Sequence, residues 1–347
     1  MTPPRRIALA LFAIAPLLHC PPALAEPVVP LRIVTWNTEI LTAPGVRAGQ
    51  LQKYRFNHAR EQHLERVAAV IETLSPDLLN LVEVTSVEAV DALVAILHEK
   101  GLTEYRGYHV ESNDDFSGMD VGVITRLPLD QVDGAAIRTI YSERDDPTWR
   151  QSFRLINWEG EPGQSSASLG RNSVYYLKVN GWRLGFLGLH LKSNPSDDNY
   201  ANPKRMAEVA VARRVIRGEI TRRDYLPVVL GDLNDYDPGI EDPDKTRSTK
   251  TTALAELKDF NPDSPGDELV NAAKWIPRQA DRYTSHWDWN ENGAADGDDV
   301  YTMIDHVLLP KELAPHVRRV FISHCVGLDT SDHFPVIVDL ALPPADG

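Results

Sequence analysis

The sequence predicts a mixed α/β domain with a sheet-on-sheet core and helices on the outside. Short apolar runs typical of buried strands alternate with segments whose apolar residues recur at helical spacing. Most of the predicted strands are joined by a hairpin signal or by a single helix, as expected of packed sheets with outer helices. The 347 residues, 42% hydrophobic and 25% charged, suffice for one large domain, and no linker divides them.

The first 25 residues are predicted to be a secretory signal peptide. Two arginines precede an apolar run from Ile7 to Leu18, which is too short to span a membrane, and a small-residue cleavage site ends at Ala25. A lipoprotein signal that uses Cys20 and a twin-arginine signal fit the surrounding residues less well. We therefore expect a secreted or periplasmic protein with no stable membrane anchor, in which residues 26–347 form a single domain.

The chain is acidic and nearly free of cysteine. Its net charge is −14, and cleavage would remove two arginines and no acid, which gives −16. Such a charge argues against loose electrostatic binding to nucleic acid, but not against a nuclease whose metal and local basic groove meet the phosphates. Only Cys325 would remain, so no internal disulfide can form, and we expect this residue to be a buried small apolar side chain.

Two strand–helix pairs are predicted in the first hundred residues. Residues 31–36 and 78–84 are apolar runs typical of buried strands. Residues 57–74 carry apolar side chains along one face of a predicted helix. Ser86 is expected to cap a second helix that runs to Lys100.

The rest of the chain is predicted to consist mainly of strands. A helix from Pro203 to about Ile220, capped by Asn202, interrupts them. Asn180-Gly181 is a hairpin signal, and two polar stretches, 127–172 and 236–300, are expected to be surface excursions. The predicted strands are 121–126, 173–179, 183–190, 227–232, 303–310 and 335–340.

Polar side chains able to bind a metal or move a proton lie at the ends of several predicted strands. Residues far apart in sequence converge where strands end at one rim of a sheet. Carboxylates and amides without cysteine suit a hard divalent ion, and two histidines beside it would supply acid–base groups. Each residue alone could be structural, so the prediction of metal-assisted phosphoester hydrolysis rests on the set. Its members are Asn37, Glu39, Glu83, His190, Asp232, Asn234, Asp305, Asp332 and His333.

Taken together, these motifs resemble the endonuclease/exonuclease/phosphatase superfamily with the DNase I-like fold. The matching segments occur in the order of that family, span residues 31–340, and look most similar to secreted bacterial nucleases. The resemblance implies a four-layer α/β sandwich in which two packed, mostly antiparallel β-sheets are flanked by helices. The segments are VTWNTE (34–39), LVEV (81–84), LGLHLKS (187–193), LGDLND (230–235), MIDHVLL (303–309) and SDHFPV (331–336).

The resemblance also implies a magnesium or manganese site. Asn37 and Glu83 would hold or orient the metal. Glu39 stands where many relatives have an acid, and Asp332 would lie against the metal or its waters.

The catalytic groups are likewise assigned by resemblance. Asp232 and Asn234 would position the attacking water and the phosphate, and His190 would contact the phosphate or protonate the leaving group. Asp305 would orient His333, the general base, because a carboxylate fixes an imidazole tautomer. The division of proton roles between the two histidines stays open.

Further polar residues near the site have roles that the motifs do not decide. In relatives an arginine near Arg171 faces the scissile phosphate, and a surface arginine is the alternative. Asp120, beside a strand that lines the site, is a further candidate, whereas Asp237 is expected to be a turn residue. Lys192 would join a basic strip with four residues that could equally be a solvated helix face: Lys204, Arg205, Arg213 and Arg214.

The implied function is hydrolysis of DNA, or of RNA, by one-step attack of water, with no obligate protein partner evident. Sphingomyelinase-type phospholipases C and phosphomonoesterases of the same superfamily are the alternatives. A secreted phospholipase would be expected to expose an aromatic-rich hairpin, and acids interrupt the two tryptophans of residues 285–293. A non-catalytic binding module would be expected to lack His333, Asp232 or Glu83, and all three are present.

Residues 288–299 match the spacing of a calcium-binding EF-hand loop. Aspartate at the last position, where glutamate is usual, should weaken binding, and the flanks are not clearly helices. A structural calcium ion that pins this long loop is one interpretation, and an acidic turn without metal is the other. The residues at the ligand and turn positions are Asp288, Asn290, Asn292, Gly293, Asp296 and Asp299.

Overall fold

The computed structural model describes most of the domain that the sequence predicts. The predicted signal peptide, residues 1–25, lies outside the described residues. Within them, no helix has the length and apolar character needed to cross a bilayer. The described residues are 27–47, 53–114, 117–140, 147–243 and 251–345.

The described residues form sixteen strands and four α-helices, and a π-helical turn, Ile216–Ile220, extends the third helix. In chain order the elements are β1 (Val29–Leu41), α1 (Asn57–Leu74), β2 (Leu78–Val84), α2 (Val87–Glu99), β3 (Arg106–Tyr108), β4 (Asp120–Thr125), β5 (Ile137–Arg138), β6 (Gln151–Ile156), β7 (Pro162–Ala167), β8 (Asn172–Val179), β9 (Trp182–His190), α3 (Ala201–Val215), β10 (Leu226–Asp232), α4 (Ala253–Lys258), β11 (Leu269–Asn271), β12 (Ser285–Trp287), β13 (Val300–Thr302), β14 (Asp305–Pro310), β15 (Val317–Ile322) and β16 (Val336–Leu342).

Most of the strands form two six-stranded sheets that pack face to face. The first has the order β15-β16-β1-β2-β4-β3 and the second has the order β11-β14-β10-β9-β8-β5. Among these described strands only the β1–β2 and β9–β10 pairs are parallel. The predicted sandwich of mostly antiparallel sheets is therefore confirmed.

Strand alternation divides the apolar core between the two faces of the second sheet. Tyr175 and Leu177 of β8 belong to the cluster shared with the first sheet, because alternate side chains of a strand point to opposite faces. Val174 and Tyr176 pack on the opposite face with residues of α3 and α4. Since α1 and α2 pack on strands of the first sheet, the layers run helices, sheet, sheet, helices.

Two local sequence signals work as predicted. The Ser86 hydroxyl precedes α2 and accepts a hydrogen bond from the backbone N–H of Ala89 at 3.3 Å, which makes it the helix cap. Asn180 and Gly181 form the two-residue turn between β8 and β9, with φ values of 49° and 83°. Positive φ at both turn residues is what a tight hairpin requires, and Asn-Gly is the pair that adopts it most readily.

The start of α3 corrects the prediction that Asn202 caps this helix. The helix begins earlier, at Ala201, and the Asn202 side-chain amide instead donates to the Asp198 carboxylate at 2.6 Å. An aspartate in the preceding turn satisfies the free N–H groups, because its carboxylate accepts three backbone hydrogen bonds. The acceptor is Asp197 and the donors are Asn199, Tyr200 and Ala201.

The expectation that Cys325 is buried is wrong, since this residue is exposed as a free thiol. It lies beyond the last residue of β15, an edge strand of the first sheet, where the inward–outward alternation of the strand no longer applies. The neighbouring Val326 supplies the buried apolar side chain at this point of the chain.

His63 on α1 makes the stability of the fold sensitive to pH. Burial lowers the pKa of this imidazole to about 4, and its Nε2–H donates to the Thr330 carbonyl at 2.8 Å. The unfolded chain therefore binds more protons than the folded one below pH 6.5, so folding stability falls as the pH drops toward 4. We expect this residue to account for roughly 2 kcal/mol of lost stability between pH 7 and pH 5.

Urea unfolding at the two pH values tests this expectation. His63→Gln, which keeps an N–H donor and cannot titrate, should lose less stability than wild type between pH 7 and pH 5. His58→Gln is the matched control, because the His58 side chain is 79% exposed. An unchanged pH dependence in the His63 variant would contradict the assignment.

Candidate active site

Strand register brings three predicted catalytic residues into one row at the rim of the second sheet. Asp232 at the end of β10 pairs with His190 at the end of the parallel β9. On its other side the same residue pairs with Asp305 at the start of the antiparallel β14. A single row across three strands therefore holds two carboxylates and an imidazole.

The backbone at this rim adopts conformations that L-residues rarely take. Gly231, just before Asp232, has φ 135°, and a Cβ atom built on it would lie 2.0 Å from the Leu189 carbonyl oxygen. The non-glycine residues Glu39, Glu83 and Asn234 also have positive φ, at 51°, 66° and 51°. Such strain costs free energy and is held only where the surrounding structure enforces it, which is typical of functional sites.

His333 and Asp305 form a buried pair. The imidazole Nδ1 lies 2.7 Å from the Asp305 carboxylate, and Nε2 points toward the Asp232 carboxylate at 4.0 Å. Burial lowers the pKa of His333, but the carboxylates of Asp305, Asp332 and Asp232 outweigh it. Together they raise this pKa well above its ordinary value. One oxygen of Asp305 is buried with no hydrogen-bond partner, so the pair is not fully satisfied by the protein alone.

His190 lies in the opposite electrostatic environment. Its Nε2 lies 3.3 Å from Arg171 Nη1 and 3.6 Å from the Asp232 carboxylate. Burial first, and then the positive charges of Arg171 and His333, lower the pKa of His190 well below its ordinary value. Arg171 therefore points into the site, and the alternative of a surface arginine does not hold. The pKa values of the two histidines therefore shift in opposite directions, as in sites that separate acid and base roles.

The predicted metal residues converge between the two sheets. The Asn37 side-chain amide donates to Glu83 and to Asp232, each at 3.1 Å, so it links the rims of both sheets. Glu39 accepts from the backbone N–H of Asp332 at 3.1 Å, which sets these two carboxylates side by side. Asn37, Glu83 and Asp332 thus lie beside the catalytic groups, whereas Glu39 reaches them only through Asp332 and also pairs with Lys53.

The crowding of these carboxylates suits a cation. Burial together with the Asp305 carboxylate raises the pKa of Asp232 to about 7. Burial together with Asp332 raises the pKa of Glu39 to about 7, although Lys53 opposes this, and burial raises the pKa of Glu83. Acids that resist ionisation because they are buried together are stabilised when a divalent ion binds among them. One ligand atom each from Asp232, Asp305 and His333 lies within 4.8 Å of the others.

Asn234 supports the same rim from the loop after β10. Its backbone N–H donates to the Asp232 carboxylate at 3.0 Å and its side-chain amide donates to the Leu191 carbonyl at 3.2 Å. These two contacts fix both its own side chain and that of Asp232.

The acids that follow Asp232 are structural. Asp235 lies 2.9 Å from Arg205 Nε in a fully buried ion pair, and Asp237 lies 2.6 Å from Lys258 Nζ. Asp237 is therefore more than a turn residue. Arg205 belongs to the core and not to a basic strip or a solvated helix face.

The loop from Asp288 to Asp299 connects β12 to β13, so strands rather than helices flank it. Asp288 accepts from the backbone of Asn292 at 3.2 Å, and the Asn290 and Asn292 amides both donate to Asp296. Asp299 faces the loop and also lies 2.6 Å from His286 Nε2, so its side chain already has a partner within the protein.

A second cluster of ionisable groups lies near the site, and of its members only Asp120 is a candidate from the sequence. One ligand atom each from His109, Glu111 and Asp120 lies within 4.8 Å of the others. Asp120 accepts from His109 at 2.9 Å and starts β4, where it pairs with Val84 beside Glu83. The only sequence signal was an acid at the start of a strand, because His109 follows the three-residue β3, which was not predicted.

A family model described as the Endonuclease/Exonuclease/phosphatase family matches residues 34–333 of the chain. An AP endonuclease from Archaeoglobus fulgidus is similar in structure, with a TM-score of 0.55, 18% identity, and coverage of 89% of this chain and 98% of that one. A 3′ phosphatase, NExo, from Neisseria bound to a product DNA hairpin gives a TM-score of 0.54, 18% identity, and coverage of 89% and 99%. D. rerio TDP2 complexed with a single-strand DNA product gives a TM-score of 0.50 and 16% identity, with coverage of 89% of this chain and 98% of that one. No curated protein matches the chain.

Proposed function

The chain belongs to the endonuclease/exonuclease/phosphatase family, and we propose that it is a secreted, divalent-metal-dependent phosphodiesterase that hydrolyses DNA, with RNA as a second substrate. The observation that carries the proposal is the row of Asp232, His190 and Asp305 facing Asn37 and Glu83 across the two sheets. Such a row supplies carboxylates for a cation and an imidazole for proton transfer at one point.

Glu83 and Asn37 would hold the metal, with Asp232 beside them and Glu39 and Asp332 against its waters. When bound, magnesium or manganese would polarise the phosphate and offset the charge of the carboxylates. The donor set fits such an ion because it consists of hard oxygen ligands whose pKa values are raised first by burial and then by mutual repulsion.

His333 would act as the general base toward the attacking water. Asp305 fixes its Nδ1 tautomer and leaves Nε2 directed to the site. Its pKa is raised by the surrounding carboxylates, so it becomes a base near neutral pH only when their charge is offset. Asp232 and Asn234 would orient the water in line with the leaving group.

Arg171 and His190 would contact the phosphate. A guanidinium suits phosphate oxygens, and Arg171 is anchored by a hydrogen bond from Nη2 to the Leu191 carbonyl at 3.2 Å. His190 lies between that guanidinium and Asp232, where it would steady the leaving oxygen or protonate it.

Nucleic acid as the substrate is supported by the similar structures. The Neisseria phosphatase and the D. rerio protein are bound to DNA products, and the Archaeoglobus protein is an AP endonuclease. Secretion rests on the predicted signal peptide, residues 1–25, and would be tested by N-terminal sequencing of protein from the culture medium or periplasm. Cleavage after Ala25 is the expected result, and an intact N-terminus in the cytoplasm would contradict it.

One assay panel tests the proposed activity. Plasmid DNA, RNA, sphingomyelin and a phosphomonoester are each incubated with magnesium, manganese, calcium or a chelator. Hydrolysis of DNA that requires magnesium or manganese is expected. Turnover of sphingomyelin or of the monoester with inert DNA would favour the phospholipase or phosphatase alternative, and inactivity on all four would favour a binding module.

Calcium binding by the loop from Asp288 to Asp299 stays a prediction with its own measurement. Calorimetric titration of wild type with calcium should show a weak site, since the last ligand position is an aspartate. Asp288→Ala should abolish that heat, because this residue occupies the first ligand position, while the neighbouring Glu291→Ala should not. Equal binding by wild type and Asp288→Ala would remove the calcium interpretation and leave an acidic turn.

A further inference from the structure

We propose that Trp287 and Trp289 form an aromatic ridge beside the active site that stacks unpaired bases next to the scissile phosphate. The inference rests on the proposed function and adds its substrate class, which is single-stranded rather than duplex nucleic acid.

The ridge consists of two large apolar side chains that remain in water. Trp287 is 53% exposed and Trp289 is 62% exposed, and their ring centroids lie 4.9 Å apart at an interplanar angle of 61°. Two adjacent exposed indoles cost free energy in the unbound protein, which marks them as a contact surface. Their faces offer stacking area at low conformational cost.

The ridge is fixed relative to the general base. Ser285 of β12 pairs in a bridge with His333, and the backbone N–H of His286 donates to the Asp332 carbonyl at 2.8 Å. The His286 ring in turn stacks on Tyr301, with centroids 4.5 Å apart. Trp287, the next residue, is therefore held by the same backbone that holds His333.

Two clefts meet at Trp287. A cleft of about 790 Å³ lies on one side and one of about 530 Å³ on the other, and Trp287, His286 and Asp332 line both of them. Both volumes are in the range of clefts that bind small ligands. A substrate strand that passes over Asp332 must therefore pass the indole of Trp287.

The two clefts differ in chemistry. The larger one carries Lys53 and Arg55 beside the acids, which suits a backbone phosphate. The smaller one combines Tyr236 and Ile304 with hydroxyl groups next to His333, which suits a sugar and base. A nucleotide strand presents these groups in alternation, so the ridge would lie between neighbouring nucleotides.

Stacking explains how an acidic protein would hold an acidic polymer. A net charge of −14 provides no general attraction to nucleic acid, so affinity must come from local contacts. Stacking on an aromatic side chain tolerates any base and strengthens binding by roughly 5- to 150-fold per base. Interior bases of a duplex are stacked on both faces, so only the terminal base pairs of a duplex could contact the ridge.

The test compares three variants on three substrates. Trp287→Ala and the double variant Trp287→Ala/Trp289→Ala are assayed with a single-stranded oligonucleotide, the same backbone lacking bases, and a blunt duplex. Trp158→Ala is the matched control, because Trp158 is 92% exposed on the turn between β6 and β7 and lines neither cleft. Fluorescence anisotropy of a labelled oligonucleotide in chelator measures binding without turnover.

We expect Trp287→Ala to raise KM for the single strand about 10-fold or more and to weaken binding of the labelled oligonucleotide to match. The effect should be much smaller on the base-free backbone and on the duplex, and Trp158→Ala should resemble wild type. Equal KM values for Trp287→Ala and Trp158→Ala in an active enzyme would overturn the ridge alone. If the variants instead lose binding to phosphatidylcholine–sphingomyelin vesicles while DNA kinetics stay unchanged, the ridge contacts a membrane and the proposal fails. A wild type that cleaves no nucleic acid would overturn the proposed function itself.

Discussion

Replacing His333 by glutamine is expected to lower kcat for DNA hydrolysis by about 10²- to 10⁴-fold, the usual contribution of a positioned acid–base group. His333 Nδ1 is held by Asp305 at 2.7 Å, so its other nitrogen is the one available for a proton. Glutamine retains the size and polarity of the side chain but cannot take that proton at neutral pH. Steady-state kinetics at saturating metal and substrate, with circular dichroism to verify folding, measure the effect.

A bridging sulfur in the substrate separates the roles of the two histidines. A sulfur leaving atom needs no proton, so a variant that has lost the general acid regains activity on such an oligonucleotide, whereas one that has lost the general base does not. We expect His333→Gln to stay slow on this substrate. His190→Gln should stay slow as well, because burial and the nearby positive charges lower the pKa of this imidazole and disfavour the protonated form that a general acid needs. Rescue of His190→Gln would instead assign protonation of the leaving group to His190, and rescue of His333→Gln would make His333 the general acid.

A surface control and a partner variant complete this experiment. His58→Gln, at a position whose side chain is 79% exposed, should retain wild-type kcat. Asp305→Asn should lose activity to a similar extent as His333→Gln, because an amide no longer fixes the imidazole tautomer. Near-normal kcat in His333→Gln would show that the site uses another base.

The main elements of the fold were predictable because their patterns are long and locally consistent. Helix α1 and strand β2 have the predicted bounds, and the Asn180-Gly181 turn closes the predicted hairpin. The errors occur where tertiary contacts decide. The N–H of the first residue of α3 donates to Asp197 and not to Asn202. Cys325 is exposed because it lies beyond an edge strand. Neither outcome is encoded in the spacing of apolar residues.

The site was predictable as a set of residue types at strand ends, but its geometry was not. The row of Asp232, His190 and Asp305 exists because β10 pairs in register with strands on both sides. A shift of one residue would turn the side chains to the opposite face, and sequence alone does not define register between distant strands. The Trp287–Trp289 ridge depends on the same long-range pairing, through the bridge from Ser285 to His333.

Asp232→Asn is expected to abolish measurable hydrolysis and, at the same time, to stabilise the metal-free protein. Burial and the Asp305 carboxylate raise the pKa of Asp232 to about 7. Between its ordinary value and that pKa the unfolded chain ionises and the folded protein does not, so stability falls as pH rises through this window. Above pH 7 the folded protein bears the full free-energy cost of ionising this buried carboxyl. An asparagine cannot ionise and avoids that cost.

The variant also loses the hydrogen bond from Asn37, which offsets part of the stabilisation. The expected net gain in the free energy of unfolding is therefore on the order of 2 kcal/mol at pH 8 in chelator. Urea unfolding of wild type and variant at pH 5 and pH 8 measures it, with Asp91→Asn on the exposed side of α2 as the control. The difference in the free energy of unfolding between the two proteins should be smaller at pH 5 than at pH 8. Adding magnesium should stabilise wild type far more than the variant, since the repelling carboxylates are what a cation would bind. A variant that is less stable than wild type at pH 8, or that still hydrolyses DNA, would show that Asp232 is held for packing and not for chemistry.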